Sequence, residues 1–147
     1  MKITDAFLGE HAVLYAQLDH LEKALPAAKT LGEIKAMAAL LEAALASHAD
    51  LEDELLLDGL QPGLAQMGKL EKLQQEHDGI CKALAQVRTA RTRADARGLL
   101  LELIQRTREE FDLEERVIFR IAEETMRPET LEKLGRRWAR RRALLLP

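Results

Sequence analysis

Three of the four histidines in this chain, His11, His48 and His77, and three glutamates, Glu52, Glu110 and Glu114, interrupt runs that are otherwise apolar at helical spacing. Residues four apart on a helix share a face, so His48 and Glu52 point the same way, as do Glu110 and Glu114. Imidazole and carboxylate together form a donor set suited to iron, zinc or manganese. Thiolate chemistry is not available as a cluster, because Cys81 is the only cysteine and has no partner for a disulfide within the chain. No glycine-rich nucleotide loop and no Ser-His-Asp arrangement stands in the sequence.

These residues must be positioned by helices. Of the 147 residues, 47% are apolar and 3% aromatic, which excludes a disordered chain and argues against a β-sandwich. Abundant Ala, Leu, Glu, Lys and Arg favour an all-α fold. The length predicts one domain spanning 1–147. Pro26, Gln61-Pro62-Gly63, the stretch from Arg93 to Gly98, and Arg127-Pro128 break the pattern, with Thr4, Thr30 and Asp95 available as N-caps. Helices are therefore predicted at about 4–25, 30–59, 64–92, 95–126 and 129–144, to within roughly three residues. Four long helices with short turns make an up-down-up-down four-helix bundle, and the fifth is a short C-terminal appendage.

The seams that would face the bundle axis run Phe7, His11, Leu14, Leu18, Leu21, Leu25; Ile34, Ala38, Leu41, Leu45, His48, Glu52, Leu55; Leu70, Leu73, His77, Ile80, Leu84, Val87; and Leu100, Leu103, Thr107, Glu110, Glu114, Val117, Ile121. In an antiparallel bundle the six interruptions can meet in one layer near its middle. His20, nine residues after His11, falls on the opposite side and is expected to face solvent. An unpaired carboxylate in a dry core costs several kcal/mol, against a total stability of about 5 to 15 kcal/mol. Two divalent cations with a bridging hydroxide would neutralise three glutamates; a metal-free His–Glu hydrogen-bond network is the alternative.

Four segments carry a family resemblance: Glu10-His11-Ala12-Val13-Leu14, His48-Ala49-Asp50-Leu51-Glu52, Glu76-His77-Asp78, and Glu114-Glu115-Arg116-Val117-Ile118-Phe119. In order and spacing, over about residues 5–126, they resemble the hemerythrin-like, His-His-Glu cation-binding family. The resemblance implies a four-helix bundle holding two iron ions with a bridging oxo or hydroxo group, manganese or zinc being possible substitutes. It implies that His11 and His48 bind one iron, that His77 binds the other, and that Glu52 and Glu114 bridge them. Two departures stand out. Glu110 occupies the place of a fourth-helix histidine, and Leu73 that of a further third-helix histidine in oxygen carriers. Glu110 remains on the seam and is expected to coordinate. An extra anionic ligand favours the diferric state, so reversible oxygen carriage is less expected than other chemistry. Counting two octahedral irons, the ligands leave about one or two positions open for a small molecule.

The first function expected is therefore a di-iron protein that binds or senses O2, NO or redox or iron state. A di-iron oxidase or peroxidase-like enzyme acting on O2 or peroxide is the alternative, and iron storage is weaker because one small bundle encloses no mineral cavity. Leu45, Leu55, Leu73, Leu84, Leu103 and Val117 fill the seams beside the donors, which favours a small ligand over a bulky substrate. Tyr15 and Cys81 each follow a candidate ligand by one turn, and Thr107 precedes Glu110 by one; each has an ordinary packing or backbone-bonding role as its alternative.

Net charge is −3, with Arg136, Arg137, Arg140, Arg141 and Arg142 gathered at the C-terminus. Such a run most simply complements the last helix dipole, so a nucleic-acid partner is not expected. The fifth helix would cap the bundle with Leu131, Leu134 and Trp138, or else carry a partner surface. Met1 to Ala12 carries Lys2, Asp5, Glu10 and His11 where a signal peptide needs an unbroken apolar run, and no membrane span is expected. A cytoplasmic location fits a single cysteine. The sequence leaves the oligomeric state open.

Overall fold

A computed structural model of the chain describes residues 1–57, 59, 60 and 68–144, with Leu70 described by its backbone alone. Every regular element among the described residues is helical, as expected. Helix α1 spans Ile3–Ala24 and ends in a 3-10 turn, Leu25–Ala27, where Pro26 removes the N–H a longer helix would need. Helix α2 spans Leu31–Glu52 and runs on through a π-turn, Asp53–Leu57. Helix α3 spans Lys69–Thr89. Helix α4 is a continuous run of Arg93–Leu113, a π-turn at Glu114–Ile118, and Phe119–Thr125. Helix α5, Pro128–Arg141, opens with proline in its first turn, where the missing N–H costs nothing. The predicted turn at Gln61-Pro62-Gly63 and the predicted start of the third helix at 64 lie outside the described residues.

Contacts across the bundle show that neighbouring helices run antiparallel. Phe7 near the start of α1 stacks on Phe119 near the end of α4, while Arg97 at the start of α4 donates to the Ala28 carbonyl after α1. Lys35 early in α2 likewise donates to the Arg88 carbonyl late in α3. One of the three predicted N-caps holds. Thr30 Oγ1 accepts from the Glu33 N–H at 3.1 Å, and Glu33 Oε2 accepts from the Thr30 N–H at 3.1 Å, closing a capping box. The other two boundaries lie earlier than expected. Thr92 caps α4 by accepting from the Asp95 N–H, and α1 begins after Lys2, leaving Thr4 buried with its hydroxyl on Glu123. In both places a second residue within the first turn supplies the polar side chain that sequence reading mistook for the cap.

Two apolar clusters form the core. One holds Leu14, Leu18, Leu41, Leu45, Leu84, Leu103 and their neighbours; the other holds Ile3, Phe7, Leu51, Leu55, Leu73, Ile118 and Phe119. The six seam interruptions fall between the two clusters along every helix, in the mid-bundle layer expected. Beyond that layer the α4 seam departs from prediction: Ile118, Phe119 and Ala122 are buried, whereas Val117 and Ile121 are half-buried. The π-turn at Glu114–Ile118 is the cause, since its wider winding advances the inward face by one residue.

Helix α5 packs along α1, with Leu131 and Ala139 buried and Leu134 and Trp138 half-buried against the second cluster. It therefore caps the bundle, one of the two roles expected, though of the three residues named only Leu131 is fully buried. A Cβ at Gly135 would collide with the Met1 carbonyl oxygen and lie 3.1 Å from the Lys2 carbonyl carbon, so only glycine lets the two backbones meet here. Four of the five arginines at the end of α5 have acidic partners. Arg136 faces Glu132, Arg137 and Arg141 both reach Glu54, and Arg142 reaches Glu10. Among the described residues no helix is long and apolar enough to cross a membrane.

Candidate metal centre

Five of the six expected donors, His11, His48, Glu52, Glu110 and Glu114, are buried, and the side chain of His77 is 27% exposed. The fold brings all six together. His11 Nε2 lies 3.1 Å from His48 Nε2 and 3.3 Å from Glu114 Oε2, and His48 Nε2 lies 3.7 Å from Glu52 Oε2. His77 Nε2 lies 2.9 Å from Glu110 Oε1 and 3.7 Å from Glu114 Oε1. Two sets of ligand atoms result, each contained within 4.8 Å: His11, His48 and Glu114, and Glu52, His77 and Glu114. Glu114 belongs to both. Glu110 belongs to neither and instead accepts from His77. His20 is exposed, as its position on the helix requires.

The imidazoles of α1 and α2 are each braced from behind. His48 Nδ1 sits 2.7 Å from Glu10 Oε2, and His11 Nδ1 sits 2.9 Å from Glu115 Oε1. Carboxylates accept, so each Nδ1 donates to its carboxylate and each ring turns its Nε2 inward. Phe111 stacks on His11 with centroids 4.0 Å apart, while Phe7 and Phe111 meet His48 edge-on at 5.6 Å. Neither Glu10 nor Glu115 stood out in the sequence except as a neighbour of a seam residue. The usable signal was position: each lies one residue off the seam, turned toward the histidine of the adjoining helix.

Electrostatics set the glutamates apart from one another. Burial, together with the nearby charge of Glu114, pushes the Glu52 carboxyl well above its usual range. Burial also pushes Glu110 up, against the opposing hydrogen bond from His77. Glu114 is buried too, yet the imidazoles of His11 and His77 beside it outweigh that cost and hold it low. Hydrogen bonds to Glu110 and Glu114 raise His77 to about 11. Glu10 is lowered to about 2, where bonds from His48, Arg142 and Trp138 overcome its desolvation. Tyr15 is raised to about 12, mainly by burial.

The donor set suits a cation. Glu52 Oε1 and Glu114 Oε2 are buried with no hydrogen-bond partner, which costs about 1–3 kcal/mol or more each unless something else satisfies them. The two Nε2 atoms, 3.1 Å apart, need a proton or a cation between them. A metal bound by these atoms would relieve both conditions, and it would have to displace the His77–Glu110 hydrogen bond.

Other expectations fare differently. Thr107 is buried and donates to the Leu103 carbonyl at 2.9 Å, so it bonds its own helix and does not orient Glu110. Tyr15 lies edge-on to His11 at 6.4 Å. Cys81 is exposed, not a buried hydrophobe, and it lines a cavity. That cavity, about 250 Å³, is bounded by Leu45, Ile80, Leu84 and Phe111 and reaches His48, His77, Glu52, Glu110 and Glu114. Space thus exists beside the donors where sequence reading expected filled seams, since Leu45 and Leu84 line the cavity without closing it.

The chain matches no curated protein and no solved structure. Residues 2–122 match the family described as the hemerythrin HHE cation binding domain, a span that contains all six donors and both bracing carboxylates. The chain therefore belongs to the hemerythrin HHE cation-binding family.

Proposed function

We propose that residues 1–147 form a single unit whose six donors hold a carboxylate-bridged, non-haem di-iron centre that binds or senses O2, NO, or redox or iron state. Such a centre supplies redox-active metal with an open position for a small ligand. In this reading His11 and His48 bind one iron, His77 and Glu110 the other, and Glu52 and Glu114 bridge. The observation that carries it is the pair of buried carboxylate oxygens without a hydrogen-bond donor, Glu52 Oε1 and Glu114 Oε2, in the same layer as two imidazole Nε2 atoms only 3.1 Å apart. A hydrogen-bond network complete in itself would leave no such orphaned oxygens. Metal content per chain, measured with the visible spectrum before and after dithionite and air, tests the proposal. About two irons with a redox-reversible oxo-bridge band are expected; a stably folded protein that retains no metal would refute it.

The cavity favours a second reading, a di-iron oxidase or peroxidase-like enzyme. A cavity of roughly 150 Å³ suffices for benzene, so about 250 Å³ reaching the donors is more than a diatomic molecule needs. Leu84→Trp, which would fill that space, separates the two readings. Metal content should stay unchanged, and azide should still bind if only small ligands use the site. Loss of turnover of a small organic substrate with azide binding retained would favour the enzyme.

A further inference from the structure

Glu10 connects the metal centre to a helix beyond the family match, which ends at residue 122, whereas α5 begins at Pro128. Both Glu10 oxygens are engaged. Oε2 faces His48 Nδ1 at 2.7 Å, and Oε1 accepts from the Trp138 indole N–H and from Arg142 Nε, each at 2.7 Å. Arg142 also donates from Nη1 to Ser47 Oγ at 2.6 Å and from Nη2 to the Ser47 carbonyl at 3.0 Å. One guanidinium thus grips the carboxylate that faces His48 and the residue that precedes it. A carboxylate fixed by three donors cannot rotate without losing one, so its Oε2 is aimed at His48 by residues of another helix.

We infer that Trp138 and Arg142 are positioning residues of the metal centre, acting through Glu10 to fix the proton and ring direction of His48, so that metal affinity depends on the docking of α5. The inference rests on the reading of His48 as a metal ligand. A helix that only capped the bundle would act differently. Arg141 ties the same helix to Glu54 at 2.5 Å and makes no contact with Glu10, so it serves as the control.

The test uses the full chain, stripped of metal by a chelator and titrated with Co(II) alone. Visible ligand-field bands report the geometry, and thermal unfolding of the stripped protein is followed in parallel. Outer-shell partners of metal ligands typically contribute 10- to 100-fold in affinity. Arg142→Ala and Trp138→Phe should each weaken Co(II) binding about 10-fold and alter the band shape. Arg141→Ala should change neither. The double variant should lose no more than Glu10→Ala alone, because both residues act through one carboxylate. Wild-type affinity and spectrum in both Arg142→Ala and Trp138→Phe would overturn the inference, as would an equal loss in Arg141→Ala. If Arg142→Ala does not fold, Trp138→Phe decides alone, since it removes one N–H and keeps the apolar ring. Failure of the wild-type chain to bind Co(II) would overturn the metal reading as well, whereas normal wild-type binding with unaffected variants would overturn this inference only.

Discussion

His11 and His48 each have Nδ1 held by a carboxylate and Nε2 turned to the centre, whereas His77 has its Nε2 engaged by Glu110 and stands 27% exposed at a cavity. One side of the donor layer is thus aimed in advance and walled by Phe7 and Phe111; the other is open and already occupied by an internal partner. Braced ligands keep their geometry when metal leaves, because hydrogen bonds from neighbouring side chains hold them independently of it. Ligands without a brace must be released by their partner before they bind. The difference suggests a division of labour, with metal retained on the α1–α2 side and small molecules admitted on the α3–α4 side.

The largest effect that could break this comparison is loss of metal. His48→Ala combined with Glu52→Ala should abolish metal retention, while His77→Ala should leave the braced side loaded; elemental analysis after desalting reads both. If His77→Ala empties the site completely, the two sides do not act separately. A smaller effect sharpens the contrast: Glu115→Gln should weaken Co(II) binding about 10-fold by loosening His11. No equivalent brace on His77 is available to remove among the bonds described. Glu110→His should raise the reduction potential if Glu110 coordinates, since it replaces an anion with a neutral ligand; an unchanged potential in redox titration would exclude that role.

The smallest effect separates the two sides by pH in the metal-free protein. Glu10 is lowered from 4.5 to about 2, so its contribution to stability is present above pH 4.5 and is lost as pH falls through about 2. His77 is raised from 6.5 to about 11, so its contribution is present below pH 6.5 and is lost as pH rises through about 11. Glu52, raised above 4.5, loses its contribution as pH rises from that value. Thermal unfolding across pH should therefore show an acid limb removed by Glu10→Gln and an alkaline limb reduced by His77→Gln. Limbs that persist unchanged in these variants would detach the shifts from the two sides.

Much of this was legible because helical periodicity makes a polar residue on an apolar seam conspicuous. His11, His48, His77, Glu52, Glu110 and Glu114 are all visible in that way, and His20 is recognisable as an outsider by the same rule. Glu10 and Glu115 were not, since a glutamate one step off the seam reads as ordinary surface until the adjoining helix is placed against it. Arg142 was hidden for a similar reason, as one of five arginines near a helix end whose specific partner lies 132 residues away. The π-turns leave no compositional mark, which is why Val117 and Ile121 were predicted inward in place of Ile118 and Ala122.

Those two π-turns, Asp53–Leu57 and Glu114–Ile118, follow directly upon or begin at the two carboxylates proposed to bridge. Each is one residue of slack in a winding that otherwise advances about 100° per residue. The apolar stripes before and after the donor layer are therefore out of phase, and the layer lies where the phase changes. Deletion of a single residue from Asp53–Leu57, or of one after Glu114 from Glu114–Ile118, would leave every donor in the chain and yet turn the rest of that helix through about 100°, carrying apolar side chains out of the second cluster. Variation in length should accordingly be tolerated in the connections between helices and excluded from these two five-residue segments, so that the centre is encoded by chain length as much as by residue type.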